Sequence, residues 1–254
     1  DKTTNTIYGS LYCGNFAGND TTVNFEAGRH TFGGSIYVSA TSGSATMNIS
    51  GAEVINLVNP AHVKDGWSAF MYVGKSGAGA FNVSAGSFYT ADNAGINLGY
   101  EGSGEMTLSG GTVTTKRILM GNNAKVPEQP DRLTVTGGLL DVTSIADGFG
   151  IRAAIQSGRT SYVTLDGGIV WGFVQSNALH TCGVRNVMFR DIYLHQPRTA
   201  FSVHYDMGKY SRSYYPGAEI SWQENLFFDN IRLLHDAKLP FLSVSAPVRN
   251  VRFS

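Results

Sequence analysis

Charge is scarce in this chain, and what there is cancels: Lys and Arg number 19, Asp and Glu number 19, and charged residues make up 15% of 254. No overall positive field exists to draw phosphate backbones or anionic lipid, so nucleic acid is excluded as an expected partner. A helical protein normally coats its exposed faces with charge, and the 31 glycines here are poor helix formers. Both features point to β structure.

Cysteine is nearly absent. Cys13 and Cys182 are far apart in sequence, and a bridge between them would need distant parts of an elongated chain to meet, so two free thiols are expected. No apolar run approaches the roughly 18 residues of a membrane span. The chain starts at Asp1 with neither Met nor a signal-like apolar core, which reads as a processed chain or a piece of something larger. His180, His195, His204 and His235 form no short-spaced cluster with Cys or carboxylates, and no acidic nonapeptide repeat is present. No metal site and no cofactor is expected.

What the chain does have is repetition. MNISGAEV from Met47, FNVSAGSF from Phe81, MTLSGGTV from Met106, LTVTGGLL from Leu133 and VTLDGGIV from Val163 follow one another at intervals of 34, 25, 27 and 30 residues. The first and third positions are apolar and the second and fourth polar, the period-two signature of a half-buried strand. The second position is Asn48, Asn82, Thr107, Thr134 and Thr164. Stacked in register, such side chains can hydrogen-bond from one copy to the next as a ladder. Asn19, Asn48 and Asn82 also begin Asn-x-Ser/Thr triplets, which ladder membership explains for the latter two.

Glycines at 51, 86, 110, 111, 137, 138, 167 and 168 follow these strands and are expected at corners. A second strand precedes each copy, starting at Ile36, Phe70, Ile96, Ile118 and Ile151. The same logic continues in NVMFRDIYL from Asn186, NLFFDNIRL from Asn225 and NVRFS from Asn250, the last stopping inside the pattern as though a capping segment were missing. Repeats this short leave no room for a crossover helix, so parallel strands must stack in a coil about 4.8 Å apart. A β-propeller would need blades of about 40 residues. The expected fold is therefore all-β, a single-domain right-handed parallel β-helix of eight or nine coils over residues 1–254. It divides into a cap and first coil at 1–34, glycine-rich coils at 35–170, and differently worded coils at 171–254 with a long loop at 205–219.

Residues 35–170 resemble the glycine-rich repeats of bacterial autotransporter passengers. Roughly 145–254, on the strings VRNVMFRDIYL and ENLFFDNIRL, resemble the pectate-lyase-like superfamily, particularly the polygalacturonase-like glycoside hydrolases. That resemblance implies a secreted or cell-surface, bacterial protein acting on a polysaccharide or oligosaccharide. Those hydrolases carry an Asn-Thr-Asp turn, a paired Asp-Asp, a Gly-His-Gly and an Arg-x-Lys. Here Ala146-Asp147-Gly148-Phe149 resembles only the first, and the others have no counterpart.

Residues that obey the repeat are explained by folding, so function is expected where it breaks: 56–66, 171–182, and above all 204–219. Tyr205, Tyr210, Tyr214, Tyr215 and nearby Trp222 offer rings for stacking on sugars, and Lys209 and Arg212 offer partners for a carboxylate or sulfate. Asp206, His204, Glu219 and Asp147 are the candidate acids and bases. Asp191 and Asp229 follow aromatics in similar contexts of successive late repeats and are expected to cap turns, with catalysis as their alternative role. The leading expectation is a carbohydrate-active β-helix that binds, and as an enzyme would hydrolyse, glycosidic bonds. The alternative is a non-catalytic adhesin, stalk or surface-assembly module, a homo-oligomer or one that continues into further coils.

Overall fold

The structure, a computed structural model, describes residues 3–61, 69–90, 94–142, 150–153, 155–156, 158–171, 174–176, 185–191, 193–194, 201–203, 223–234, 241–244 and 248–254. It is all-β, every strand pairing is parallel, and no α-helix occurs among the described residues. Among those residues no helix is long and apolar enough to cross a membrane.

The strands form three ladders, visited in the same order at each repeat. A short ladder joins Leu11–Cys13, Ile36–Val38, Met71–Val73, Ile96–Leu98, Arg117–Met120, Gly150–Ala153 and Val174–Ser176 in one seven-stranded sheet. A middle ladder runs from Asp20–Phe25 through residues 44–49 and 78–83 to Ser103–Leu108, Asp131–Val135, Ser161–Asp166, Arg185–Arg190, Gln223–Asp229 and Val248–Phe253. A third begins with Thr4–Ile7 and Arg29–Phe32 and continues through 53–56, 87–90, Thr112–Thr114 and Leu139–Asp141 to Ile169–Trp171. The middle and third ladders belong to one fourteen-stranded sheet because Ser44–Asn56 and Ala78–Thr90 each run through both. Two separate parallel pairs lie at the C-terminal end, Tyr193–Leu194 with Arg232–Leu233 and Phe201–Val203 with Leu242–Val244.

The middle ladder keeps one register throughout. Asn24, Asn48, Asn82, Thr107, Thr134, Thr164, Met188, Phe227 and Arg252 occupy a single column across nine strands. Its first members form the expected polar ladder, with Asn48 Nδ2 donating to Asn24 Oδ1 at 2.8 Å and Asn82 Nδ2 to Asn48 Oδ1 at 2.9 Å. Asn24 belongs to a sixth copy of the repeat, further upstream than the five with the plainest wording.

Positions flanking this column face inward. Met47, Phe81, Val83, Met106, Leu108, Leu133 and Val135 are fully buried and join Ile36, Val38, Val54, Phe88 and Val113 of the other ladders in one cluster. Each such side chain contributes about 1.5–3 kcal/mol by leaving water. The three ladders thus share one core. A second cluster at the C-terminal end is built on Leu226 and Phe228, with Phe189 and Ile231 packing against both.

The glycines divide by role. Gly111 has φ 71, a region that side chains with a Cβ avoid, as expected at a corner. Gly51 is different: it lies inside Ser44–Asn56 without a positive φ, and a Cβ there would overlap Glu26 O, just past the end of the neighbouring strand. It sits where the strand passes from the middle ladder to the third, and close approach of two layers, rather than a left-handed backbone, is what requires glycine there.

Candidate functional site

A left-handed residue follows each early strand of the short ladder: Gly14, Ser39, Gly74, Gly99 and Gly121. Ser39 tolerates φ 61 by donating its hydroxyl to Gly43 O at 2.9 Å and Thr41 O at 3.2 Å. The connectors at 39–43, 74–77 and 99–102 are tight. The next, from Gly121 to Pro130, is much longer and rejoins the middle ladder at Asp131.

Asp131 and Arg159 occupy the space behind that longer connector. Both side chains are fully buried, and Arg159 Nη2 lies 2.8 Å from Asp131 Oδ2. The same Nη2 donates to Gly99 O at 2.6 Å and Gly102 O at 3.1 Å, and Nη1 donates to Lys125 O at 2.6 Å. Asp131 Oδ1 also accepts the Gly104 N–H at 3.1 Å. Gly99 must be glycine, since a Cβ there would overlap the Asp131 carboxylate. Burial pushes the Asp131 carboxyl up to about 7, with Arg159 and the Gly104 N–H pulling the other way. One guanidinium therefore ties three successive repeats together, and only its Nε lacks a hydrogen-bond partner among the described residues.

Over this pair lies a cleft of about 210 Å³ lined by residues 126–130, 158–160 and Tyr162. Pockets for drug-sized ligands run to roughly 300–1,000 Å³, so this one suits a single ring. Its lining residues include Pro127, Pro130 and Tyr162 alongside Glu128, Gln129 and Thr160. The Arg132 guanidinium sits 4.7 Å from the Tyr162 ring centre and holds that ring from outside the lining. The cleft thus brings an aromatic residue and residues able to hydrogen-bond together over the buried, hydrogen-bonded Arg159.

Two other clusters are self-satisfied. On the short ladder Tyr12, Tyr37 and Tyr72 stack at 4.7 and 5.3 Å, with Lys75 Nζ 3.7 Å from the Tyr100 ring centre. Burial, then the neighbouring Tyr37 and Tyr100, raise the Tyr72 hydroxyl. Tyr37 is covered by its neighbours on both sides, whereas Tyr12 at the end of the stack is 52% exposed. On the middle ladder Arg190 Nε lies 2.9 Å from Asp229 Oδ2, and its Nη1 lies 3.4 Å from Asp166 Oδ2. The hydrogen bond to Asp229 and the charge of Asp166 raise the guanidinium further.

Asp191 and Asp229 are not equivalent, because the register pairs Asp229 with Arg190. Asp191 instead turns the chain at φ 52, and its Oδ1 accepts from Asn230 Nδ2. The turn-capping role fits Asp191, and an ion-pair role fits Asp229.

Asp147, His204, Tyr205, Asp206, Lys209, Tyr210, Arg212, Tyr214, Tyr215, Glu219 and Trp222 all lie outside the described residues, as do Cys182, His180, His195 and His235. Cys13 is a free, buried thiol, pushed up to about 11 by its burial. The cleft was missed by sequence reasoning, although the length of the Gly121–Pro130 connector and its Pro-Glu-Gln-Pro run signal a break in the repeat. Comparison with family models, curated proteins and solved structures finds no match to this chain.

Proposed function

We propose that the chain is a right-handed parallel β-helix that binds carbohydrate, with the cleft at 126–130, 158–160 and Tyr162 as a sugar subsite. Three ladders visited in constant order around a shared core support the winding. The observation that carries the function is Tyr162: a ring held by Arg132, lining a one-ring cleft beside Glu128, Gln129 and Thr160. Sugars are bound in this way, their C–H faces on an aromatic and their hydroxyls on amides, carboxylates and hydroxyls.

The reading is binding rather than hydrolysis. Glycoside hydrolysis needs two carboxyl groups about 5–9.5 Å apart across the bond. The described lining of the cleft holds one carboxylate, Glu128. A secreted or cell-surface bacterial module that holds a polysaccharide fits these features, and it joins the carbohydrate reading to the adhesin or stalk reading.

A glycan array probed with the wild-type chain and with Tyr162→Ala tests the proposal. Binding to a subset of glycans, weakened about tenfold or more by the substitution, is expected; stacking on an aromatic of this kind is worth about 0.5–1.5 kcal/mol and the lost packing adds to it. A blank array, or equal binding by both proteins, would sink the site.

A further inference from the structure

Resting on the carbohydrate reading above, we infer that the cleft takes one uncharged pyranose, a terminal residue of a glycan, and rejects uronic acid and sulfated residues through Glu128. Size comes first: at about 210 Å³ the cleft has space for one ring and not for a run of them.

Charge decides the class. Two ionised side chains line the cleft, Arg159 and Glu128. The positive charge of Arg159 is spent inside the protein, on the Asp131 carboxylate and the carbonyls of Gly99, Gly102 and Lys125. Its one nitrogen without a hydrogen-bond partner among the described residues, Nε, is buried and presents no accessible donor to a bound anion. Arg132 stacks on the ring of Tyr162 and is not part of the lining.

Glu128 remains, exposed on the rim between Pro127 and Gln129. Its carboxylate accepts hydrogen bonds from sugar hydroxyls and repels a second carboxylate or a sulfate placed a few ångströms away. Beside two prolines, at an effective dielectric between those of water and protein interior, that repulsion is worth about tenfold in affinity.

Calorimetric titration with a neutral oligosaccharide and its uronic-acid counterpart, at low and high salt, separates the outcomes. Wild-type protein is expected to favour the neutral sugar by about tenfold at low salt, with the gap narrowing as salt is added. Glu128→Gln should cut the preference to about threefold or less, and Glu128→Lys should reverse it; both variants also alter the hydrogen bonds to the neutral sugar, so the readout is the ratio of the two affinities and not either affinity alone. Glu128 is exposed, so neither change threatens the fold. Equal or tighter uronate binding by wild type, or a preference untouched by Glu128→Gln, overturns the charge rule and leaves the sugar site standing. Failure of both sugars to bind, or binding that Tyr162→Ala leaves intact, overturns the site and this inference with it.

Discussion

Up to residue 168 the chain makes its left-handed turns with glycine; from residue 186 onward, among the described residues, it makes them with Asn186, Asp191, Asn225, Asn230 and Asn250. Ser39 is the one early exception among the described residues. The core changes over the same interval. Early layers bury Ile, Val, Leu and Met with the edge-on Phe25–Phe32 and Phe81–Phe88 pairs, whereas later ones stack Phe189 on Phe228 at 5.2 Å and Phe228 on Phe253 at 5.0 Å.

One backbone demand is thus met in two ways. Glycine adopts the conformation without strain and lets layers touch, at the cost of conformational freedom on folding. Asparagine carries some strain there but returns a hydrogen bond between layers. Asn225 Nδ2 donates to Asn186 Oδ1 at 2.8 Å, and Asn250 Nδ2 to Asn225 Oδ1 at 2.7 Å. A stack can therefore change its vocabulary without changing its register, as the unbroken column from Asn24 to Arg252 shows.

The ion pairs of the two regions give the largest expected contrast. Asp131→Ala leaves Arg159 charged, buried and unpaired, and should cost about 3–5 kcal/mol in denaturant unfolding. Arg190→Ala, in the exposed Asp166–Arg190–Asp229 row, should leave the unfolding midpoint where it was. Equal effects would mean that burial does not distinguish the two regions.

A swap of turn residues comes next. At Gly111 a Cβ would lie 2.5 Å from Gly86 O, so Gly111→Asn should cost about 1–3 kcal/mol through overpacking, whatever its backbone tolerance. Asn225→Gly gives up two ladder bonds but relieves the strained φ of 56, for a net loss of about 1 kcal/mol. Thermal melts of both variants check the order, and a reversed order would break the comparison.

The last contrast concerns pH. The folded Asp131 carboxyl, at about 7, lies above its ordinary 3.8, so the fold binds this proton more tightly than the unfolded chain does. Its contribution is fullest below about pH 4 and declines as pH rises towards 7. Stability measured across that window should show a slope that Asp131→Asn removes.

Much of the fold was legible because local and global patterns agree. Met47, Ile49, Phe81 and Val83 alternate with Asn48 and Asn82, and those two sets became core and ladder. Gly51 falls at the expected junction between ladders, but sequence cannot separate a glycine needed for a left-handed backbone from one needed for close approach. Asp191 and Asp229 were set side by side on their neighbouring aromatics, whereas the structure aligns the two strings from Asn186 and Asn225. The cleft was not legible: Asp131 and Arg159 meet only because the stack brings residues 28 apart together, and no local pattern encodes that.

The central claim is that both regions form one continuous parallel stack. Spin labels at positions 24, 134 and 252, in a background with Cys13 and Cys182 replaced by serine, test it by pulsed electron paramagnetic resonance. These positions fall on the first, fifth and ninth strands of a single column. At about 4.8 Å per strand, the 24–134 distance should be about 19 Å and the 24–252 distance about 38 Å. A 24–252 distance near or below the 24–134 distance would show that the C-terminal layers fold back, and would contradict the account.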